Sequence, residues 1–201
     1  LRTFELWNLR TLNREVGMDF YETIRRRRSV RKYSDQLVPE EVITRCLEAA
    51  RLAPSWRNGQ PWRFIVVRDR NTIRRLTRAN WGAGAINLWL KDAPVLVVAC
   101  ADPRPSGLKG DQPYYLVDVA IALEHLVLAA TAEGLGTCWI GGFSEEKVRE
   151  ILGIPPHIRV VAMTPLGYPA DEKGLYDRLA VVGKRQTRRL SLQEIVRYEK
   201  W

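Results

Sequence analysis

Residues 114–143 read YYLVDVAIALEHLVLAATAEGLGTCWIGGF, and no other stretch of the chain does more to fix the fold. Its first part, 114–133, is apolar almost all round, which favours a central helix or a helix at a subunit interface over a surface helix. Gly134 stands where the C-terminal cap of that helix is expected. Residues 137–140 then predict a strand, which two glycines end.

Helices and strands alternate outward from this stretch. Strands are expected at 63–67, 94–101 and 158–167, and the continuous apolar run at 94–101 indicates burial on both faces. Helical spacing and capping signals predict further helices at 19–28, from Pro39 to just before Pro54, at 71–81, at 144–152 and from Ser191 onward. Alternation alone predicts a doubly wound parallel sheet of about four or five strands.

The nucleotide-binding signatures of such a sheet are missing. The sequence contains no GxxxxGK[ST] motif, and Gly134 and Gly136 follow a helix instead of linking a strand to a helix. An NAD-binding Rossmann domain is therefore rejected.

Composition and charge set broad limits. The chain has 201 residues, of which 46% are hydrophobic, and this fits one globular domain. We interpret 1–17 as an N-terminal extension and 18–201 as the single domain. An excess of basic residues gives a formal net charge of +9. Nucleic acid, an acidic membrane surface, phosphorylated small molecules and solubility alone are all compatible with that charge.

The cysteines predict no disulfide or metal site. Cys46, Cys100 and Cys138 are odd in number, widely spaced and set among apolar or small residues, which indicates buried, reduced thiols in a cytoplasmic protein. His125 and His157 form no recognisable metal-ligand pattern with them. No uninterrupted apolar run reaches about 18 residues, and the first residues lack the pattern of a secretory signal, so we expect a cytoplasmic protein without a membrane span.

Two basic clusters, at 25–32 and at 184–189, are candidates for anion binding. The first combines guanidinium groups with a hydroxyl, which are the donors that a phosphate monoester binds: Arg27, Arg28, Ser29 and Arg31. The alternative is an ordinary solvated charged face.

The loop 53–62, APSWRNGQPW, is a candidate for binding a planar ligand. Asn58 and Gln60 offer donors and acceptors for the edge of a heterocycle, and Trp56 and Trp62 can form the wall of a pocket. The alternative is that Trp62 belongs to the core and that the amides only tie the loop together. Elsewhere, glycines after the 137–140 strand leave backbone N–H groups that a flat ligand can approach.

Five segments together resemble the flavin-dependent nitroreductase family in order and spacing. They are MDFYETIRRRRSVRKY from Met18, APSWRNGQPWRFIVV from Ala53, LEHLVLAATAEGLGTCWIGGF from Leu123, VVAMTPLGYPA from Val160 and RRLSLQEIV from Arg188. The resemblance spans 18 to about 199. It implies an α+β fold, in which helices flank a central, mostly antiparallel sheet of four to five strands, and an intertwined homodimer with FMN at the subunit interface.

The resemblance also implies which residues contact FMN. The first motif supplies phosphate and ribityl contacts, the Trp-containing loop supplies contacts to the ring and the ribityl chain, and the glycine-ended strand brings a backbone amide to the flavin N5. The C-terminal arginines resemble a second phosphate clamp, although RRLSLQE has one residue more than the commoner family pattern. The implied contacts are Arg27, Arg28, Ser29, Arg31, Asn58, Gln60, Ile140, Gly141, Gly142, Arg188 and Arg189.

The implied activity is a ping-pong oxidoreductase. NADH or NADPH reduces FMN and leaves, and a nitroaromatic, quinone or related acceptor then takes the electrons. No side chain is needed as a catalytic residue, because the cofactor carries the chemistry. The alternatives are flavin fragmentation or reductive dehalogenation on the same scaffold, a non-enzymatic flavin-binding protein, and a nucleic-acid-binding module that uses the positive charge. We expect neither nucleic acid nor a membrane as partner.

Overall fold

The computed structural model describes residues 18–79, 87–171 and 189–201. In chain order its elements are α1 (Phe20–Arg26), α2 (Glu40–Arg51), β1 (Trp62–Val67), α3 (Arg70–Thr77), β2 (Val95–Ala101), β3 (Leu108–Lys109), β4 (Gln112–Pro113), α4 (Tyr114–Ala132), α5 (Glu145–Leu152), β5 (Arg159–Leu166) and α6 (Leu192–Ile195). Short 3₁₀ helices lie at Trp56–Asn58 and Leu88–Asp92. The extension 1–17 lies outside the described residues.

The central sheet has three strands in the order β1-β2-β5, and both pairings are antiparallel. Trp62 lies opposite Ala101 in the first pair, and Val95 lies opposite Leu166 in the second. The parallel, doubly wound sheet predicted from alternation is therefore wrong, whereas the antiparallel α+β architecture implied by the family resemblance is confirmed.

β2 is buried along its whole length. Alternate residues such as Val97 join the core cluster with α2 and α4, while the others, such as Val98, join the cluster with α3 and α5. Because a strand covered on both faces is a continuous apolar run whichever way its neighbours point, the sequence at 94–101 predicted its burial but not its direction.

α4 is the long central helix that the sequence predicted. It packs along α2 and also contacts all three strands of the sheet. Arg45 of α2 ties the two helices together by donating from Nε and from a terminal nitrogen to the carboxylate of Glu133, over 2.6 and 2.7 Å. Among the described helices only α4 is long and apolar enough to cross a membrane, a test that the core helix of a globular protein also passes.

The segment 136–140 borders the sheet beside β5 without forming a regular strand. Isolated antiparallel bridges join Gly136 to Gly167 and Ile140 to Met163. The sequence predicted a strand at 137–140, and the structure retains only these bridges. The segment nevertheless forms a fourth row beside the three strands.

Helix caps form at α1 and α6, and one hairpin was not predicted from the sequence. Asp19 caps α1 by accepting a hydrogen bond from the N–H of Glu22, and α1 ends two residues earlier than predicted. At α6, Ser191 and Glu194 form the expected capping box. The segment 102–113, predicted to be a loop, contains the short β3–β4 hairpin, which turns at Gly110 with a φ of 61°.

Candidate functional site

The first arginine motif lies against the segment 135–137. Arg27 is the C-cap of α1, and the chain then runs beside the GLG turn, where Ser29 forms a parallel bridge with Thr137. The N–H of Val30 donates to the carbonyl of Thr137 over 2.7 Å. The fold therefore brings together two motifs that are more than a hundred positions apart in sequence.

A cleft of about 300 Å³ opens at this junction. Arg26, Arg28, Gly134 and Gly136 are among the residues that line it. Arg28 is exposed, while Arg27, Ser29 and Arg31 are half-buried. Sequence analysis missed Gly136 as part of the cleft, although its place in the GLG turn was a usable signal. A cationic cleft bordered by bare backbone suits a small anionic group.

Ile140, Gly141 and Gly142 lie at the C-terminal end of the segment 136–140 that borders β5. Ile140 is buried, and its N–H and carbonyl both bond to Met163, over 2.9 and 3.0 Å. Gly141 and Gly142 are exposed, and a Cβ atom added at either would meet nothing within 4 Å. Their backbone is therefore open to a flat ligand. A larger cleft of about 880 Å³ begins at Gly141 and continues along α5.

The loop that carries Asn58 and Gln60 has an unusual backbone. Arg57, Asn58 and Gln60 adopt positive φ angles of 49°, 56° and 44°, which non-glycine residues seldom do. The side-chain amide of Gln60 donates to Oδ1 of Asn58 over 3.1 Å. Both side chains are exposed. These two exposed amides offer both hydrogen-bond donors and acceptors, which suit the polar edge of a heterocyclic ring.

Asp118 anchors this loop from beneath. Its carboxylate accepts hydrogen bonds from the N–H of Trp56 over 2.8 Å and from Oγ of Ser106 over 2.6 Å. The ring of Trp56 lies 4.4 Å from the ring of Tyr114, which begins α4. The sequence did not identify Asp118 as a site residue, because α4 carries a second acid, Glu124, and nothing in the local pattern distinguishes the two.

The other loop tryptophan, Trp62, belongs to the core. It is 7% exposed and packs in the cluster between the sheet and α4. The alternative weighed for this residue from the sequence is therefore the correct one, and Trp56 alone is left as the aromatic wall.

Asn58 and Arg28 lie near opposite edges of the sheet. The 55–60 loop leads into edge strand β1, where β1 begins, whereas Ser29 and Gly136 lie beside the far end of β5, at the other edge. Three strand spacings separate β1 from the 136–140 row, about 14 Å. Within one chain, the two halves of the predicted site therefore do not meet.

The C-terminal arginines remain a prediction. Arg188 lies outside the described residues. Arg189 is exposed and stands two positions before the capping residue of α6.

The cysteines lie in the core. All three are buried, and burial raises the pKa of Cys46 and of Cys100 to about 12. In the part of the chain that the structure describes, no group of three or more His, Cys, Asp or Glu side chains is arranged to hold a metal ion.

Comparison with known proteins gives a consistent result. The family model described as "Nitroreductase family" matches residues 24–87 and 83–168. An NADH dehydrogenase of Thermus thermophilus is 35% identical over an alignment of 178 positions that covers 73% of this chain and 85% of the relative. An iodotyrosine deiodinase of Thermotoga neapolitana is 28% identical over an alignment of 188 positions that covers 83% of this chain and 97% of the relative.

Solved structures show the same similarity in three dimensions. A nitroreductase family protein from Clostridium novyi NT superimposes with a TM-score of 0.73 at 41% identity, covering 77% of this chain and 87% of the other. An FMN-dependent nitroreductase from Clostridium difficile superimposes with a TM-score of 0.71 at 29% identity, covering 89% of this chain and 98% of the other.

Proposed function

This chain belongs to the nitroreductase family and is an oxidoreductase, and we propose that it binds FMN between two copies of itself and passes reducing equivalents from NADH or NADPH to a small planar acceptor. The observation that carries the proposal is the junction of Ser29 with Thr137. That junction joins the arginine motif to the segment 136–140, which leads into Gly141 and Gly142.

The residues present fit a flavin mononucleotide. The cleft lined by Arg26 and Arg28 has the charge and the donors for a phosphate monoester. Arg27, Ser29 and Arg31 do not line this cleft, and they would reach the phosphate from the adjoining stretch of the same chain. The open backbone of Gly141 and Gly142 admits a flat ring without steric conflict. Bound FMN supplies the hydride chemistry, while the protein binds, orients and shields the reacting surface. The exposed C-terminal Arg189, with Arg188, would add positive charge to the phosphate end.

The second half of the site would come from a partner chain. Asn58 and Gln60 lie at the sheet edge opposite to Arg28, and we assign their contacts to the flavin whose phosphate is bound by the arginine motif of the other chain. A two-fold dimer places equivalent surfaces face to face and can join the arginine side of one chain to the amide side of the other.

The exposed apolar surface supports that dimer. Phe20, Tyr21 and Ile24 on α1 and Leu116 and Val117 on α4 are each more than 40% exposed. The C-terminal arm adds apolar side chains that are at least 60% exposed, namely Leu192, Ile195, Tyr198 and Trp201. Large exposed apolar side chains in this number favour an interaction surface. A second copy of this chain is the partner that we propose for them.

The decisive experiment is a flavin titration of the purified protein. We expect a flavin absorption spectrum after reconstitution with FMN, and oxidation of NADH or NADPH by the loaded protein when an acceptor is added. Protein that gains no flavin absorbance with excess FMN would exclude the proposal. Comparing the two nicotinamides fixes the electron donor.

A second candidate activity is reductive dehalogenation. The similarity to an iodotyrosine deiodinase, which extends over 97% of that relative, favours it. Assaying the loaded protein with a nitroaromatic, a quinone and a halogenated tyrosine separates the two. Release of halide without turnover of the nitroaromatic would assign the dehalogenase reaction.

A further inference from the structure

We propose that Asp118 is the positioning residue for the amide side of the flavin site. The proposal rests on the FMN function proposed above, and it identifies the buried group that sets the geometry of Asn58 and Gln60. Asp118 belongs to α4, and its two carboxylate oxygens accept from two different loops: Oδ1 from the N–H of Trp56 and Oδ2 from the hydroxyl of Ser106.

The burial of Asp118 indicates a role other than core packing. The residue is 2% exposed and lies in a helix whose other buried members are all apolar. Burying a carboxyl group is unfavourable unless hydrogen bonds compensate, and an apolar residue would fill the same space without that cost. An apolar residue, however, could not accept the hydrogen bonds that hold the loops 55–60 and 102–107 to α4.

The two loops are pressed together where Asp118 holds them. A Cβ atom added to Gly59 would lie 2.6 Å from the carbonyl oxygen of Pro105, and one added to Gly107 would lie 3.1 Å from Nε1 of Trp56. Trp56 is also held by its ring, which stacks at a tilt on Tyr114 one helical turn before Asp118. α4 therefore holds Trp56 at both its backbone and its side chain.

The orientation of Asn58 follows from this anchor. The left-handed backbone at Arg57, Asn58 and Gln60 persists only where surrounding contacts determine it. Asp118 fixes the chain before this segment through Trp56, and Oγ of Ser55 accepts from the N–H of Gln60 over 3.0 Å to fix the chain after it. Without the Asp118 carboxylate, the segment is no longer fixed at its N-terminal end.

The test compares Asp118→Asn and Ser106→Ala with the wild-type protein in FMN titrations. An asparagine side chain has one acceptor oxygen and one donor nitrogen, so it reverses the hydrogen bond to Ser106 and removes the negative charge that strengthens both bonds. For Asp118→Asn we expect the FMN Kd to rise roughly tenfold or more, together with a shifted visible spectrum of the bound flavin. Ser106→Ala removes one of the two bonds, and we expect the same spectral change with a smaller rise in Kd.

Thr77→Ala is the matched control. It removes a buried hydroxyl that donates to the carbonyl of Ile73 over 2.9 Å in α3, away from both loops. A general loss of stability would lower the melting temperature in this variant too, but we expect its FMN Kd and flavin spectrum to equal those of the wild type.

The outcomes separate the two proposals. Wild-type protein that binds no FMN overturns the proposed function. Wild-type protein that binds FMN, with Ser106→Ala and Asp118→Asn showing unchanged Kd and spectrum, overturns only the positioning role of Asp118. If Asp118→Asn does not fold, the spectrum and Kd of Ser106→Ala decide alone.

Discussion

Gly136 lies directly against Val30: a Cβ atom added at position 136 would fall 2.7 Å from the Cβ of Val30 and 2.8 Å from both of its γ carbons. The same two segments share the 2.7 Å hydrogen bond from Val30 to Thr137. The arginine motif therefore keeps its place because one position of the GLG turn has no side chain.

Gly136→Ala should displace the arginine motif. We expect a loss of about 1–3 kcal/mol in the free energy of unfolding, because the added methyl group overlaps Val30 in a packed site. Urea denaturation measures the loss, and an FMN titration should show weaker binding.

The control for that variant is Gly141→Ala, where an added Cβ has open space around it. It should leave the stability of the flavin-free protein unchanged. Equal stability of Gly136→Ala and wild type would show that the segments do not depend on this close approach.

Arg28→Ala and Arg31→Ala should each weaken FMN binding roughly tenfold or more, because a charge-assisted hydrogen bond to phosphate is lost. Titrations with FMN and with riboflavin, which has no phosphate, measure the effect. Riboflavin affinity should change little. Arg75→Ala, which removes an exposed arginine from α3, is the control of equal charge. Loss of affinity for both flavins would contradict a phosphate role.

Hybrid dimers should restore a site that each single variant has lost. In the proposed dimer, Arg28 of one chain and Asn58 of the other serve the same flavin. Mixing Arg28→Ala with Asn58→Ala protein after dissociation should therefore return roughly a quarter of the sites to wild-type affinity, because half the dimers are hybrids with one intact site each. FMN titration of the mixture detects these restored high-affinity sites. If no high-affinity class appears in verified hybrids, the site belongs to a single chain.

The Glu145 carboxylate should make the stability of the protein depend on pH. The Arg159 guanidinium, over 2.8 and 2.9 Å, holds the pKa of the Glu145 carboxyl below its usual range. Because the pKa is lowered by folding, the stabilisation is present above the ordinary glutamate pKa of about 4.3 and is lost as the pH falls through the folded value. We expect Glu145→Gln to cost roughly 1 kcal/mol at neutral pH, a difference that shrinks in acid.

Urea denaturation across that pH range measures the difference for Glu145→Gln. Glu146→Gln, at the next position in α5 and exposed, is the control for removing one negative charge from the first turn. A difference between wild type and Glu145→Gln that stays constant into acid would contradict the ion pair.

The thiols should be unreactive in the folded protein. Since burial raises the pKa of Cys46 and Cys100 to about 12, both remain protonated at pH 8, and the thiolate is the reactive form. Cys138 is buried as well. A colorimetric thiol reagent should count no thiol in native protein and all 3 after unfolding. Rapid labelling of native protein would show that one of these sites opens.

Local patterns of sequence predicted the elements better than their arrangement. The cap at Ser191 and the long helix α4 follow from spacing along the chain, so they could be predicted directly. The direction of β2 depends on which strands lie beside it, and burial on both faces conceals that information. The short hairpin at Gly110 was missed because a loop rich in proline and glycine has no apolar alternation.

The candidate site shows the same division. Arg28 and Gly141 could be singled out by their chemistry, because guanidinium groups and bare backbone suit particular ligands. The role of Asp118 depends on the N–H of Trp56, which is 62 positions away, and on Ser106. A contact of this kind is set by the fold, so no periodicity along the chain reveals it.

The strained loop at 57–60 also bears on how quickly a ligand is captured. Each left-handed non-glycine residue costs about 1 kcal/mol or more, and folding supplies that energy before any ligand arrives. The amides of Asn58 and Gln60 are thus already ordered, and little conformational entropy is left to lose on association. Capture should then proceed in a single kinetic phase, its rate proportional to ligand concentration, with no slow rearrangement to limit it.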